Sequence, residues 1–413
     1  MSRASGSAFR HRDFAFFWVA LFTSSFASQM ATVAVGWQVY SVRGNPLDLG
    51  LVGLAEFLPL PLLALPAGQL ADRVSRRAIY AFAVSMEAVV LLCLLAVTAR
   101  GADEVWPFFA LAFASGVAGA IGAPAGRALT PSLVPQEILV SALAQRSIAF
   151  QLSLVAGPAV GGILFAIRPE LVYIVAVCIA LAALGCVLAL RSGRDPAVAE
   201  AAGLGEVLAG VRLIRRTKVL LGAISLDLFA VLLGGAVALL PIFAKDILEV
   251  GPTGLGFLRT APAVGSFLAA LFIARRPISR HAGRTLFVVV AMFGASMVVF
   301  GLSREMWLSM LALACGGAFD LVSVVLRSTI LPLVTPDELR GRVNAVEMVF
   351  ISASNELGAF ESGVAAALVG AVPAVVIGGA ATVVVAGLWS RLFPALAGVD
   401  RLDELRPVAV EAA

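Results

Sequence analysis

Lysine and histidine are almost absent from this sequence: two of each occur in 413 residues, beside 28 arginines. The histidines, His11 and His281, both fall in hydrophilic segments. With no nucleophile–base set and no metal-ligand spacing around them, the chain is not expected to be an enzyme, and no cofactor or metal is implied. A Gly-x4-Gly-Lys-Ser/Thr loop is missing, which excludes ATP hydrolysis by this chain. Cysteine is sparse, and Cys93, Cys178, Cys186 and Cys315 all lie inside apolar runs, which suits packing and rules out a disulfide framework. Charge is scarce as well, at 14% of residues. No cleavable leader is expected, because the first apolar stretch after Arg10-His-Arg12 is too long for one.

What fills the chain instead is apolar: 60% hydrophobic residues and a mean hydropathy of +0.99. The runs are continuous rather than alternating, which excludes a membrane β-barrel. A helix of roughly 20 apolar residues crosses the hydrocarbon layer, and twelve such spans are expected at 15–40, 47–70, 78–99, 106–125, 142–166, 171–190, 219–243, 253–274, 285–302, 306–326, 343–368 and 371–392. Of the 30 basic residues, 23 sit at the termini and in alternate loops, five in the opposite loops, and two (Arg146, Arg259) inside spans. Cytoplasmic loops collect positive charge. The chain therefore reads as a multi-pass protein of a bacterial inner membrane with both termini cytoplasmic. The net charge of +4 is spread over short inner loops that face anionic lipid, so the bilayer is the partner and a nucleic acid is not.

The longest hydrophilic interruption, 191–218, divides the chain into an N-terminal bundle (1–190), a cytoplasmic linker (191–218), a C-terminal bundle (219–392) and a cytoplasmic tail (393–413). Val207, Leu208, Val211 and Ile214 are spaced as an amphipathic helix on the membrane face, with a solvated linker as the equal alternative. The halves echo each other: Arg127 through Pro135-Gln-Glu137 is repeated as Arg327 through Pro336-Asp-Glu338, 200 to 201 residues on. A repeat at half the length marks a duplicated six-helix unit, the plan of many transporters.

Between spans two and three stands Gly68-Gln-Leu-Ala-Asp72-Arg73-Val-Ser75-Arg76-Arg77. It resembles the Gly-x-Leu-Ala-Asp-Arg-x-Gly-Arg-Arg signature of the major facilitator superfamily, with Ser75 in place of a glycine at some expected cost in strain. Asp72 at a membrane boundary needs a partner, which the start of span eleven around Arg342 or Arg127 at the end of span four would supply. A gating latch of Gly68, Asp72, Arg73, Arg76, Arg127 and Arg342 follows. In the matching second loop Arg280 stands where the aspartate belongs, so a second latch is absent. Gly157, Pro158, Gly161 and Gly162 resemble an antiporter motif of the superfamily, or simply let helices approach. The whole chain, most clearly Arg327 to Gly358, is similar to the branch that includes the enterobactin exporter. That resemblance implies twelve helices in two pseudo-symmetric six-helix bundles, with spans one, four, seven and ten lining a cavity.

Acidic groups inside spans are costly and face a cavity or a partner. They are Glu56, Glu87, Asp227, Asp320, Glu347, Glu356 and Glu361. Buried carboxylates load and release protons near neutral pH, and Asp227 and Asp320 are the first choices. Glu356 and Glu361 follow; Glu347, in the first turn of span eleven, is assigned to the helix dipole; Glu87 is structural. Arg259 pairs with Asp227 or binds an anionic substrate. The serines, Gln29 and Gln38 of span one contact substrate or neighbouring helices, and Pro59, Pro61 and Pro66 loosen span two. The expected function is a monomeric, proton-coupled exporter of a small amphipathic molecule of siderophore or drug type, working by alternating access. The alternative is an importer, facilitator or lysolipid flippase without proton coupling.

Overall fold

The computed structural model describes residues 8–63, 74–191, 204–278 and 280–407, and the regular elements among them are all helical. Eleven helices among the described residues are long and apolar enough to cross a membrane. In the first half they are α1 (Arg12–Arg43), α2 (Pro46–Leu63), α3 (Arg76–Ala99), α4 (Trp106–Leu133), α5 (Leu139–Ile167) and α6 (Pro169–Leu188). After the short α7 (Leu204–Arg216) come α8 (Lys218–Gly234, with a continuation to Ile247), α9 (Gly251–Arg275), α10 (Ala282–Leu302), α11 (Met306–Val334) and α13 (Ala371–Leu392). Expected span eleven also forms, as α12 (Arg340–Val369). At 30 residues it is about 45 Å long. Asn344, Glu347, Asn355, Glu356 and Glu361 lower its hydropathy and set it apart from the other eleven.

Helices α4 and α11 both run to eight residues beyond their expected ends, past Arg127 and Arg327. Each helix runs through its arginine and through an internal proline, Pro131 or Pro332, and stops only where the residue before the next proline turns extended. Val134 before Pro135 (φ −136°, ψ 151°) and Thr335 before Pro336 (φ −92°, ψ 129°) are extended, and each is followed by one turn of 3-10 helix, Gln136–Ile138 or Asp337–Leu339. The repeat seen in the sequence is thus a repeat of helix stops.

Two further expectations are corrected. Span seven is not continuous: α8 ends at Gly234, and the chain proceeds through 3-10, α and π turns to Ile247. The Gly234-Gly235 pair permits the break, and Ser362 Oγ donates 2.7 Å to the Gly235 carbonyl that the break exposes. Ser75 is not strained, since its φ of −57° is ordinary and its hydroxyl accepts from Ala78 N (3.2 Å) as the N-cap of α3. Helix α2 is interrupted at Leu58, ahead of Pro59 and Pro61, which lack the amides to bond Ala55 and Phe57. Pro66 lies outside the described residues.

The chain divides into two compact units, Met1–Ala201 with Glu249–Thr260, and Ala202–Leu248 with Ala261–Ala413. In the first, α1 packs on α5 and α6, α3 on α4 and α6, and α2 on α4. Phe14, Phe17, Ile79, Leu129 and Val187 form its core. A buried polar knot ties three of its helices: Tyr173 donates to Gln38 Oε1 (2.6 Å), whose amide donates to Thr98 (3.0 Å). Gln38, expected to contact substrate or neighbouring helices, is spent here. In the second unit α10 packs on α11 and α13, and α8 on α12 and α13. The amphipathic α7 buries Ile214 against α8 and α12 rather than lying free. The C-terminal segment folds back to cap α10: Asp400 and Val399 accept from the backbone of His281, Ala282 and Gly283 at 2.8–3.2 Å. Large apolar side chains such as Leu368, Val384 and Phe272 point outward, which fits a hydrocarbon solvent.

Candidate functional site

The second unit holds a buried ion pair. Asp227 lies nine residues into α8 from Lys218, about 13 Å along the axis. Arg327 lies seven residues before the end of α11, about 10 Å inside it. Arg327 Nη2 meets Asp227 Oδ1 at 2.6 Å, with 3% and 9% of the two side chains exposed. This is the geometry of a charge-assisted hydrogen bond. Arg327 Nε is buried with no hydrogen-bond partner. The arginine therefore keeps donors in reserve.

Asp320 stands two turns from Arg327 on α11, on the same face. Asp227 and Asp320 line one small cavity with Ser323, Phe293, Phe319 and Ala230. The charges of Asp227 and Arg327 both bear on Asp320. They bear on Glu347 of α12 as well, Arg327 more than Asp227, and Glu347 is half-buried. Asp227 of α8 thus holds the guanidinium directly, and Asp320 lies two turns away from it on α11.

The structure brings Asp227 and Asp320 together as neighbours, and it gives Asp227 an arginine partner other than Arg259. Arg259 is half-buried on α9, in the part belonging to the first unit. Glu56 is exposed on α2. Glu356 and Glu361 are half-buried on α12, and neither lines the cavity. Arg327 itself was missed as a site residue because hydropathy assigns it to a loop; its signal was the 200-residue repeat with Arg127.

Of the expected gating residues, Gly68, Asp72 and Arg73 lie outside the described residues. Arg76 Nη1 donates to the Ala128 carbonyl of α4 (3.2 Å), Arg127 is exposed on α4, and Arg342 is half-buried at the start of α12. Gly157 and Gly161 of α5 press against Gln29 and the Met30 backbone of α1. Gly162 and the Pro158 carbonyl meet Pro252 and Gly256 of α9. A β-carbon at Gly161 would stand 2.7 Å from the Met30 carbonyl oxygen. Glu87 accepts from Ser115 Oγ (2.9 Å), tying α3 to α4.

Comparison with known proteins gives the arrangement its context. The chain is 28% identical over 364 residues to the multidrug efflux pump Tap of Mycolicibacterium fortuitum, covering 83% of this chain and 87% of that one. It is 28% identical over 378 residues to the enterobactin exporter EntS of Shigella dysenteriae, covering 88% and 86%. Among solved structures it resembles the nucleoside transporter NupG (TM-score 0.73, 13% identity, 92% of this chain and 99% of that one). It also resembles a bacterial homologue of the human lysosomal transporter Spinster (TM-score 0.74, 14% identity, 94% and 98%). At those identities the likeness shows the major facilitator fold alone. The family description "transmembrane secretion effector" matches residues 4–406, and the chain belongs to that family of multi-pass major facilitator transporters.

Proposed function

We propose that the protein is a proton-coupled exporter of a small amphipathic molecule, of siderophore or drug type, working by alternating access. The observation that carries the reading is the buried Asp227–Arg327 pair with Asp320 on the same cavity. Ionisable groups this deep in a span are too costly for packing alone. Asp227 is held by Arg327, and Asp320 has no guanidinium of its own, so Asp320 takes up and gives back the proton. The export direction is supported by the two relatives, a multidrug efflux pump and an enterobactin exporter. Glu356, Glu361, Glu56 and Arg259 stay candidates for substrate contact. The loop Gly68–Arg77, with Arg127 and Arg342, is assigned to gating by its motif. Arginine placement supports an inner-membrane location with both termini and the 191–218 linker cytoplasmic, between bundles 1–190 and 219–392.

The test is proton movement in proteoliposomes of the purified protein, challenged with enterobactin, ethidium, erythromycin and lysophosphatidylcholine in turn. Proton flux that follows one compound and disappears in Asp320→Asn supports the proposal. Transport of a compound with no proton flux refutes coupling and leaves a facilitator or flippase.

A further inference from the structure

The first unit also carries an arginine inside a span, and this one has no acid. Arg146 lies seven residues into α5 from Leu139, about 10 Å from that end. Around the helix it stands within about 20° of Ser153 and Gly157. Both of those face α1: Ser153 Oγ donates to the Phe22 carbonyl (3.1 Å), and Gly157 presses on the Phe26 carbonyl and Gln29. Gln145, next to Arg146, accepts from Trp18 Nε1 (2.8 Å) through its carbonyl. Arg146 therefore stands on the seam between α1 and α5. Its Nε is buried with no hydrogen-bond partner while the side chain as a whole is half-buried, so the guanidinium is sealed at one end and open at the other. An arginine that only snorkels to the membrane surface would keep its whole head in water or headgroups.

Helix α4 brings a second positive charge to the same level. Arg127 lies six residues before Leu133, and the connection to α5 takes only residues 134–138. The two arginines are thus each about 10 Å from the joined end, on helices that pack together. Three residues beyond Arg127, Thr130 is buried and its hydroxyl has no hydrogen-bond partner. Tyr80 of α3 covers the neighbouring face of α4. Its ring stands 3.1 Å from where a β-carbon on Gly126 would sit, and it packs on Phe17 of α1 with 5.7 Å between ring centres. The charge of Arg127 bears on Arg146. The acids on the elements packed against α5 are Asp13, Glu137 and Glu170, all at element ends. Among the described residues none of them pairs with Arg146. Arginine cannot shed its proton, so two level guanidinia without a carboxylate are stabilised by an anion from elsewhere.

An aromatic surface runs beside them. Trp18, Phe22 and Phe26 follow one another a turn apart on α1, with ring centres 5.7 and 5.6 Å apart, and all three are half-buried. Trp18 itself bonds α5 one residue from Arg146, which puts the start of this ladder next to the guanidinium. A planar fork of donors matches an acid with two or more oxygens, and flat rings match an apolar body attached to it.

We propose that Arg146 and Arg127, beside the Trp18–Phe22–Phe26 ladder, bind the anionic group of a molecule with an aromatic body. The group is a carboxylate, sulfonate or phosphate, held by charge-assisted hydrogen bonds from the open end of Arg146. That the bound anion is also the exported compound rests on the export reading above. An anionic lipid headgroup offers the same chemistry to the same residues.

The test is calorimetric binding of 2-naphthoate, and of its uncharged isostere 2-naphthamide, to the purified full-length protein in phosphatidylcholine nanodiscs. Naphthoate should bind about tenfold more tightly, the size of one charge-assisted hydrogen bond. Arg146→Gln should remove that preference, Arg146→Lys should keep part of it, and Phe22→Ala should weaken both ligands alike. Arg127→Gln, at an exposed position, repeats the test should Arg146→Gln fail to fold, and should reduce the preference severalfold. Equal affinities of the two ligands, or a preference that survives Arg146→Gln, overturn the proposal. Nanodiscs containing phosphatidylglycerol separate the two sources. Unchanged naphthoate binding there assigns the site to a free acid; naphthoate binding lost there assigns it to a lipid headgroup and overturns the step from ligand to substrate. Proton flux enters none of these readings, so a failure here leaves the coupling at Asp320 standing, and a failure of coupling leaves this site standing.

Discussion

Replacing Asp227 with asparagine removes a charge while keeping the shape of the site and one acceptor for Arg327. Arginine cannot discharge itself by losing a proton, so the variant leaves a cation that is 3% exposed without its direct partner. Removing one member of a buried pair costs about 3–5 kcal/mol. The remaining carbonyl acceptor, and Asp320 and Glu347 close by, place the cost at the low end, about 3 kcal/mol. For a unit of some 150–250 residues this is a fall of roughly 6–12 °C in Tm. The measurement is thermal unfolding in detergent followed by tryptophan fluorescence. Asp320→Asn alone should cost little, since Asp320 is not the partner of Arg327 in the pair.

The double variant separates shared counter-ion from isolated pair. With Asp227 and Asp320 both changed to asparagine, Arg327 keeps only Glu347, and the loss should exceed the sum of the singles by about 1 kcal/mol. An apolar replacement, Asp227→Leu with Arg327→Met, removes both charges together and should regain the stability, because a buried pair exchanged for apolar groups is neutral or better. Proton-coupled transport should stay lost in it. A Tm for Asp227→Asn within 1–2 °C of wild type, less than about 1 kcal/mol, would refute the argument that the pair stabilises the unit.

The other expectations concern the frame around the site. Gly161→Val should lower the folded yield or cost about 1–3 kcal/mol by overpacking, since its β-carbon meets the Met30 backbone; size-exclusion profiles of the detergent extract read this. Tyr173→Phe should cost about 1–2 kcal/mol, leaving the buried Gln38 carbonyl without that donor, and should leave transport rates unchanged. Ser75→Gly, which restores the motif's usual residue, should be within a few tenths of a kcal/mol of wild type, whereas Ser75→Ala should cost about 1 kcal/mol through the lost cap of α3.

Hydropathy makes the helices legible because a span must be apolar over a fixed length, and eight of the expected segments needed only small changes at their ends. It misplaces α4 and α11 because it ends a span at the first arginine, whereas the backbone continues until a residue must turn extended before Pro135 or Pro336. Those eight added residues carry the site. They place Arg327 about 10 Å inside a helix, where it becomes the partner of Asp227. The break in α8 was hidden for a related reason: Gly234-Gly235 sits in an apolar run that a window average reads as continuous.

The repeat offers the part of the site that neither hydropathy nor a single motif provides. Its two copies keep the positions and reverse the charge, with Arg127 and Arg146 in the first unit, and Arg327 and Glu347 in the second. Arg146 has a buried Nε without a hydrogen-bond partner, as Arg327 does. A packing role alone would tolerate apolar residues at all four positions and gain stability from them. Charge retained at each, with opposite sign at one, is what two units would carry if one handled cations such as protons and the other presented arginines. The duplication keeps a place for charge at these positions and leaves its sign free.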